Sequence, residues 1–245
     1  MSRWLFLRGW TREARHWGEF PAQFRAAIAD AQIEAPDLPG NGRLWQRPSP
    51  LSVGAMVDEL RAARKGAPYH LLGLSLGALA AIDWASRYPG EVAACVLINT
   101  SLSPYSAFYH RLRPANYARL LHLFALERDV RAREGAILAL TSAQGADGEL
   151  IATWTGYARE QPVSRGNALR QLVAAMRYRA PAAAPPVPIL VLASGADRLV
   201  DPRCSSSIAR RWNAPLAVHP SAGHDLALDD GPWLAARVSD WLKRI

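Results

Sequence analysis

The stretch from Tyr69 to Ala81 limits the possible folds more than any other. An apolar run, Tyr69-His70-Leu71-Leu72, passes into Gly73-Leu74-Ser75-Leu76-Gly77 and at once into an alanine-rich pattern. This predicts a strand, a sharp turn and a helix, with Ser75 at the tip of the turn. So tight a turn holds its tip residue in a strained conformation. It also crowds the positions two residues away, which must then be small, and here they are Gly73 and Gly77. A serine hydroxyl is a weak nucleophile unless a base removes its proton. The rest of the chain therefore has to supply that base and a frame that brings it to Ser75.

The frame is legible in the alternation of short apolar runs with helical patterns. Trp4-Leu5-Phe6-Leu7 reads as a buried strand, and Arg8-Gly9-Trp10-Thr11 as the glycine turn that follows it. Trp17, Phe20, Phe24 and Ile28 have helical spacing over about residues 15–30. Residues 33–37 form a second short strand, and Leu38-Pro39-Gly40-Asn41-Gly42-Arg43 a tight loop. Ser52 is placed to cap a helix running to about Arg64. Residues 92–99 are almost continuously apolar, as in a strand covered on both faces. Residues 189–194 and 216–219 resume the strand pattern, and Trp233 to Ile245 closes the chain as an amphipathic helix. Such alternation predicts an α/β fold, a mostly parallel sheet flanked by helices, with right-handed crossovers. Residues 104–180 break the rhythm, because they carry helical patterns and no strand, and a proline-rich linker follows at 181–188. The chain is thus expected to divide into a core of residues 1–103 and 186–245 and an inserted helical cap of residues 104–185.

In an open parallel sheet, sites form beyond the carboxyl ends of the strands. Ser75, Asp197 and His224 each follow an apolar strand, in the order serine, acid, histidine. In that arrangement His224 serves as general base, and Asp197 fixes its tautomer and stabilises its cationic form. Two backbone N–H donors are needed for the oxyanion. One is expected at Leu76, where the helix starts, and the other at Trp10 in the glycine turn. Asp201 is a rival acid, but it lies later in the loop beside Pro202. The side chain of Asp225 should diverge from its neighbour His224, and Asp229 and Asp230 suit capping of the last helix. Trp10, Trp17, Phe108, Trp154 and Tyr157 are candidates to line an acyl pocket. His16 follows the oxyanion turn, where packing or the pocket mouth would both suit it. No histidine or cysteine pair has metal-ligand spacing, and Gly40-Asn41-Gly42 is no dinucleotide fingerprint, so neither a metal nor a cofactor is expected.

Arg8-Gly9, Asp37-Leu38-Pro39-Gly40-Asn41-Gly42, Gly73-Leu74-Ser75-Leu76-Gly77, Gly195-Ala196-Asp197 and Gly223-His224 together resemble the α/β-hydrolase superfamily. The likeness is to its capped carboxylesterase branch, which carries helices between the sixth and seventh core strands and includes esterases of acyl-carrier-protein esters. It covers most of residues 3–103 and 186–245. It implies Ser75, Asp197 and His224 as a catalytic triad, a pocket between sheet and cap, and cleavage of a carboxylic ester or thioester. The same triad also suits acyl transfer, carbon–carbon bond hydrolysis or perhydrolysis, and non-catalytic members of the fold exist. One departure stands out. The family usually has His-Gly at the oxyanion turn where this chain has Arg8-Gly9. Arg8 could favour a substrate carboxylate, or it could turn to solvent or pair with an internal acid.

The net charge of +8 invites a nucleic-acid reading. The basic residues are dispersed, however, and no helix-turn-helix, zinc-finger or base-stacking motif accompanies them, so nucleic acid is not expected as a partner. Residues 102–185 contain eleven arginines against six acids, a net +5 of that charge. A basic cap beside an ester-cleaving site would suit an acidic acyl carrier protein; it would also suit a plain solvated helical face. The two cysteines suggest no disulfide framework, the apolar N-terminal run is too short for a signal peptide, and no run approaches membrane-spanning length. The expected location is cytoplasmic, away from membranes.

Overall fold

A computed structural model describes residues 1–245 apart from Lys65, Ala67 and Ala146. Its centre is a six-stranded, wholly parallel sheet. The strands are β1 (Ser2–Leu7), β2 (Ala31–Glu34), β3 (Tyr69–Leu74), β4 (Val92–Ile98), β5 (Ile189–Ser194) and β6 (Leu216–His219). Their order in the sheet is β2-β1-β3-β4-β5-β6. The chain begins in β1, runs outward to β2, and returns to β3 on the other side of β1. The strand order therefore reverses between β1 and β3, and a crevice opens beyond the carboxyl ends of strands at such a point.

Side chains alternate across the sheet with the period of two that a strand imposes. Leu5, Leu7, Leu71, Cys95, Leu97 and Val191 face one layer. There they meet α2 (Val53–Ala62), α3 (Leu76–Arg87) and α9 (Arg203–Trp212). Trp4, Phe6, Leu72, Leu74, Val96 and Leu192 face the other, against α1 (Phe20–Ala27) and α11 (Gly231–Leu242). Both faces are covered, so the central strands can be apolar along their whole length. An aromatic cluster seals the second layer, with Trp4 and Phe24 at 4.8 Å and Phe6 and Phe20 at 5.4 Å between ring centroids.

Several boundaries and caps differ from those read in the sequence. The first helical stretch is split: a 3-10 turn at Ala14–Trp17 ends at Gly18, whose φ is 50°, and α1 starts afresh at Phe20 with Pro21 in its first turn. The second strand ends at Glu34, two residues before Pro36, which removes a ladder donor. Asp230 caps α11 by accepting from Trp233 N–H at 2.9 Å, whereas Asp229 is turned inward to other partners described below. Ser52 does cap α2, accepting from Ala55 N–H at 3.3 Å.

Between β4 and β5 lie α4 (Phe108–Arg111), α5 (Tyr117–Leu121) with a π-helical turn at His122–Leu126, α6 (Val130–Thr141), α7 (Gly148–Glu160) and α8 (Arg165–Arg177). This helical segment follows the fourth of six strands. Several polar seams tie it to the rest of the chain. Between α4 and α5, Arg113 N–H donates to Leu199 O at 3.0 Å. From α8, Asn167 Oδ1 accepts from Ser49 N–H at 2.8 Å and Gln171 Nε2 donates to Asn41 Oδ1 at 2.8 Å. At the end of α6, Ser142 Oγ donates to Asp229 Oδ1 at 2.6 Å and Ala143 N–H to Asp229 Oδ2 at 2.9 Å. A short helix, α10 (Leu226–Asp229), carries Asp229 between these seams and the last helix. No helix among the described residues is long and apolar enough to cross a membrane.

Candidate active site

Ser75 sits between β3 and α3 with φ 56° and ψ −114°. A non-glycine residue in that region is strained and needs its surroundings to hold it there. They do so from every side. Ser75 N–H donates to Ile98 O at 2.9 Å, and Ser75 O accepts from Thr100 Oγ1 at 3.0 Å. The flanking glycines are required by space: a Cβ on Gly73 would lie 2.5 Å from Gly77 O, and one on Gly77 would lie 2.0 Å from Leu7 O. Gly9 brings the turn after β1 against the elbow, since a Cβ there would sit 3.2 Å from Ser75 Cβ. Thr11 and Asn99, with φ of 57° and 46°, are strained as well, so positive φ gathers around this one point.

Asp197 and His224 meet from the exits of β5 and β6. His224 Nδ1 and Asp197 Oδ2 are 2.7 Å apart, and both residues are buried. The other Asp197 oxygen accepts from Leu199 N–H at 2.8 Å and Val200 N–H at 2.9 Å, which fixes the carboxylate plane. Burial alone would push the His224 imidazole down, but the charge and hydrogen bond of Asp197, with Asp225 adding, carry it above the usual histidine value. Asp201, the rival acid, is turned away. It is held by Arg203 at 2.7 Å, with Arg113 at 3.8 Å, and the Arg203 hydrogen bond draws its carboxyl down to about 2.

Neither the Trp10 N–H nor the Leu76 N–H donates to a backbone acceptor among the described residues. Leu76 stands at the N-terminus of α3, where the helix leaves its first donors unpaired and its dipole favours negative charge. Trp10, Leu76 and Ser75 share the lining of an apolar chamber of about 460 Å³. His224 and Ser75 both line a smaller cavity of about 50 Å³, as does Trp10. A second apolar chamber, of about 500 Å³, adjoins the first across Trp10, Leu112, Tyr117 and Leu172. Trp10 is held in this wall by its Nε1, which donates to Ala168 O at 2.8 Å.

The other pocket candidates are scattered. Phe108 lines the Ser75 chamber and is largely exposed at its rim. Trp17 is packed in the aromatic layer, and Trp154 is buried beneath the Arg12 guanidinium and the His16 ring. Tyr157 lines a separate cavity of about 40 Å³ that does not reach Ser75. His16 lines that cavity too. Its Nδ1 accepts from Glu13 N–H at 3.1 Å, and burial, then Arg12 and Arg8, push its pKa well below the usual value.

Arg8 lines the small cavity that Ser75 and His224 share, with its charge already engaged. It is buried, its guanidinium stacks on Trp17, and it meets Asp225 through two hydrogen bonds of 3.1 and 2.6 Å. Divergence from His224 thus carries Asp225 to a definite partner. Sequence reading allowed Arg8 an internal acid without naming Asp225, and it missed Asn99. The Asn99 amide donates to His224 O and to Ser194 Oγ, both at 2.8 Å, and its Oδ1 accepts from Ser194 N–H at 2.8 Å. An asparagine closing an apolar strand was the available signal. Among the described residues no group of three or more His, Cys, Asp or Glu is placed to hold a metal ion.

Comparison with known proteins agrees with the fold. A sequence model described as "Alpha/beta hydrolase family" matches residues 4–237. A pimeloyl-[acyl-carrier protein] methyl ester esterase of Chromobacterium violaceum is 33% identical over 97 residues, 40% of this chain. The match spans only 36% of that relative's length. A Klebsiella pneumoniae protein named "Putative carbamate hydrolase RutD" is 30% identical over 201 residues, 77% of this chain and 72% of that protein. Among solved structures, the 2-hydroxy-6-oxo-6-phenylhexa-2,4-dienoate hydrolase of Rhodococcus sp. strain RHA1 superposes with a TM-score of 0.79 at 17% identity. That superposition covers 99% of this chain and 90% of the other.

Proposed function

Because the chain belongs to the alpha/beta hydrolase family, we propose that it is a serine hydrolase cleaving a carboxylic ester or thioester through an acyl-enzyme on Ser75. The observation that carries this reading is the 2.7 Å contact of His224 Nδ1 with Asp197, made behind a cavity that His224 shares with Ser75. With Nδ1 engaged by Asp197, the neutral imidazole leaves Nε2 as the acceptor for the Ser75 proton. Ser75 Oγ attacks the carbonyl carbon, and the Trp10 and Leu76 N–H groups receive the oxyanion. Each such donor lowers the barrier by roughly 3–4 kcal/mol. His224 returns the proton to the departing alcohol or thiol. It then deprotonates a water that attacks the acyl-enzyme, releasing the acid and restoring Ser75.

On this reading residues 104–185 act as a cap, and the two apolar chambers beneath them take the acyl group. The Arg8–Asp225 pair is internally neutral, so Arg8 does not select the substrate. An acidic acyl carrier protein suits the exposed arginines of the cap, among them Arg128, Arg131, Arg177 and Arg179, and the Chromobacterium relative's name points the same way. The Klebsiella relative favours a second reading, in which the same machinery opens a carbamate.

A fluorophosphonate probe tests the mechanism, and an ester and carbamate panel the bond. Wild-type protein should be labelled on Ser75, and Ser75→Ala should not. Equal labelling of the two would refute a Ser75 nucleophile. Faster turnover of carbamates than of matched esters would replace the first reading by the second.

A further inference from the structure

Within the Ser75 chamber, Arg111 is the one charged side chain of the lining among the described residues. It comes from α4 and reaches across to α8, where Nη2 donates to Ala175 O at 2.9 Å. Its Nε is buried and has no hydrogen-bond partner. Among the described residues no carboxylate pairs with it. The nearby acid, Asp201, is already engaged by Arg203 and Arg113. Burial pushes the Arg111 pKa down, and only the Cys204 thiol opposes that shift. A half-buried guanidinium in an apolar chamber, with an idle donor and no counterion, is costly to keep unless something anionic comes to it.

Taking the serine-hydrolase reading as its basis, we infer that Arg111 is a specificity-determining residue for an ester substrate that itself carries an anionic group, a carboxylate or phosphate. The guanidinium supplies the charge, while Trp10, Leu172 and Met176 take the apolar part of the substrate. Arginine suits this because its planar fork binds such groups through paired hydrogen bonds. The contact is made away from the scissile carbonyl, equally in the ground state and the transition state. It should therefore act on KM far more than on kcat.

Matched substrates test this. Mono-4-nitrophenyl adipate against 4-nitrophenyl hexanoate places the charge on the acyl side. The 4-(carboxymethyl)phenyl ester of butyrate against the 4-methylphenyl ester places it on the leaving side. Wild-type protein should favour the anionic member of one pair by roughly 10- to 100-fold in kcat/KM, and the pair that shows it identifies the side. Arg111→Gln should erase that preference through KM, and Arg111→Lys should retain part of it. If Arg111→Gln does not fold, the wild-type preference and its loss at high salt decide the matter alone. Turnover of the neutral esters with no preference in either pair would overturn this inference and leave the hydrolase reading standing. No turnover of any ester, with no labelling of Ser75, would overturn both.

Discussion

Breaking the Arg8–Asp225 pair should destabilise the protein far more than breaking an ordinary ion pair, and should move the pH dependence of the site in opposite directions from its two ends. The side chains are 2% and 5% exposed, and their closest contact is 2.6 Å. An exposed pair contributes about 0–1 kcal/mol. A buried one, once a partner is removed, leaves a charge that neither water nor protein compensates, at a cost of about 3–5 kcal/mol. For a chain of this size that corresponds to a fall in Tm of about 6–20 °C. Arg8→Met and Asp225→Asn should each show it in thermal or urea unfolding. The double variant should recover a large part of the loss, since no unpaired charge then remains. Asp225 raises the His224 pKa and Arg8 lowers it. The acid limb of kcat/KM should therefore move to lower pH in Asp225→Asn and to higher pH in Arg8→Met. Single-variant losses under about 1 kcal/mol that simply add in the double variant would refute the argument. So would acid limbs that shift in the same direction.

Two other changes probe the site itself. Asp197→Asn removes the charge that raises His224 and disturbs its tautomer, so kcat should fall by roughly 10³- to 10⁴-fold, with the acid limb at lower pH; steady-state rates on a 4-nitrophenyl ester read both. Leu172→Trp fills the wall between the two chambers, and in a panel of esters of graded acyl length the longest acyl group accepted should become shorter.

The central strands were legible because they are buried on both faces and so leave continuous apolar runs that punctuating glycines and prolines delimit. The placement of Ser75, Asp197 and His224 at strand ends follows from the same runs. What the sequence does not display is who meets whom across the site. Asp225 and Arg8 are 217 residues apart, and nothing local announces their contact. An arginine on a short helix reads alike whether it is exposed, like Arg119 on α5, or turned into a chamber, like Arg111 on α4. Trp17, Trp154 and Phe108 are equally apolar in sequence, yet one fills a core layer, one lies under a guanidinium and one stands at a rim. Those differences are decided by the tertiary packing of the helical segment, where periodicity says only that a helix exists.

The seam at Asp229 has a mechanical consequence. Its carboxylate accepts from Ser142 and Ala143 at the end of α6, and also from Gly223 N–H at 2.6 Å, one residue before His224. Asp225 N–H adds a bond to Thr141 O at 2.8 Å. The end of α6 is thereby riveted to the loop that carries the imidazole, and the two cannot part at that corner without disturbing His224. Motion of α6 is therefore transmitted directly to the His224 loop, whereas the exposed Phe108, Leu121, Leu169 and Met176 line the two chambers.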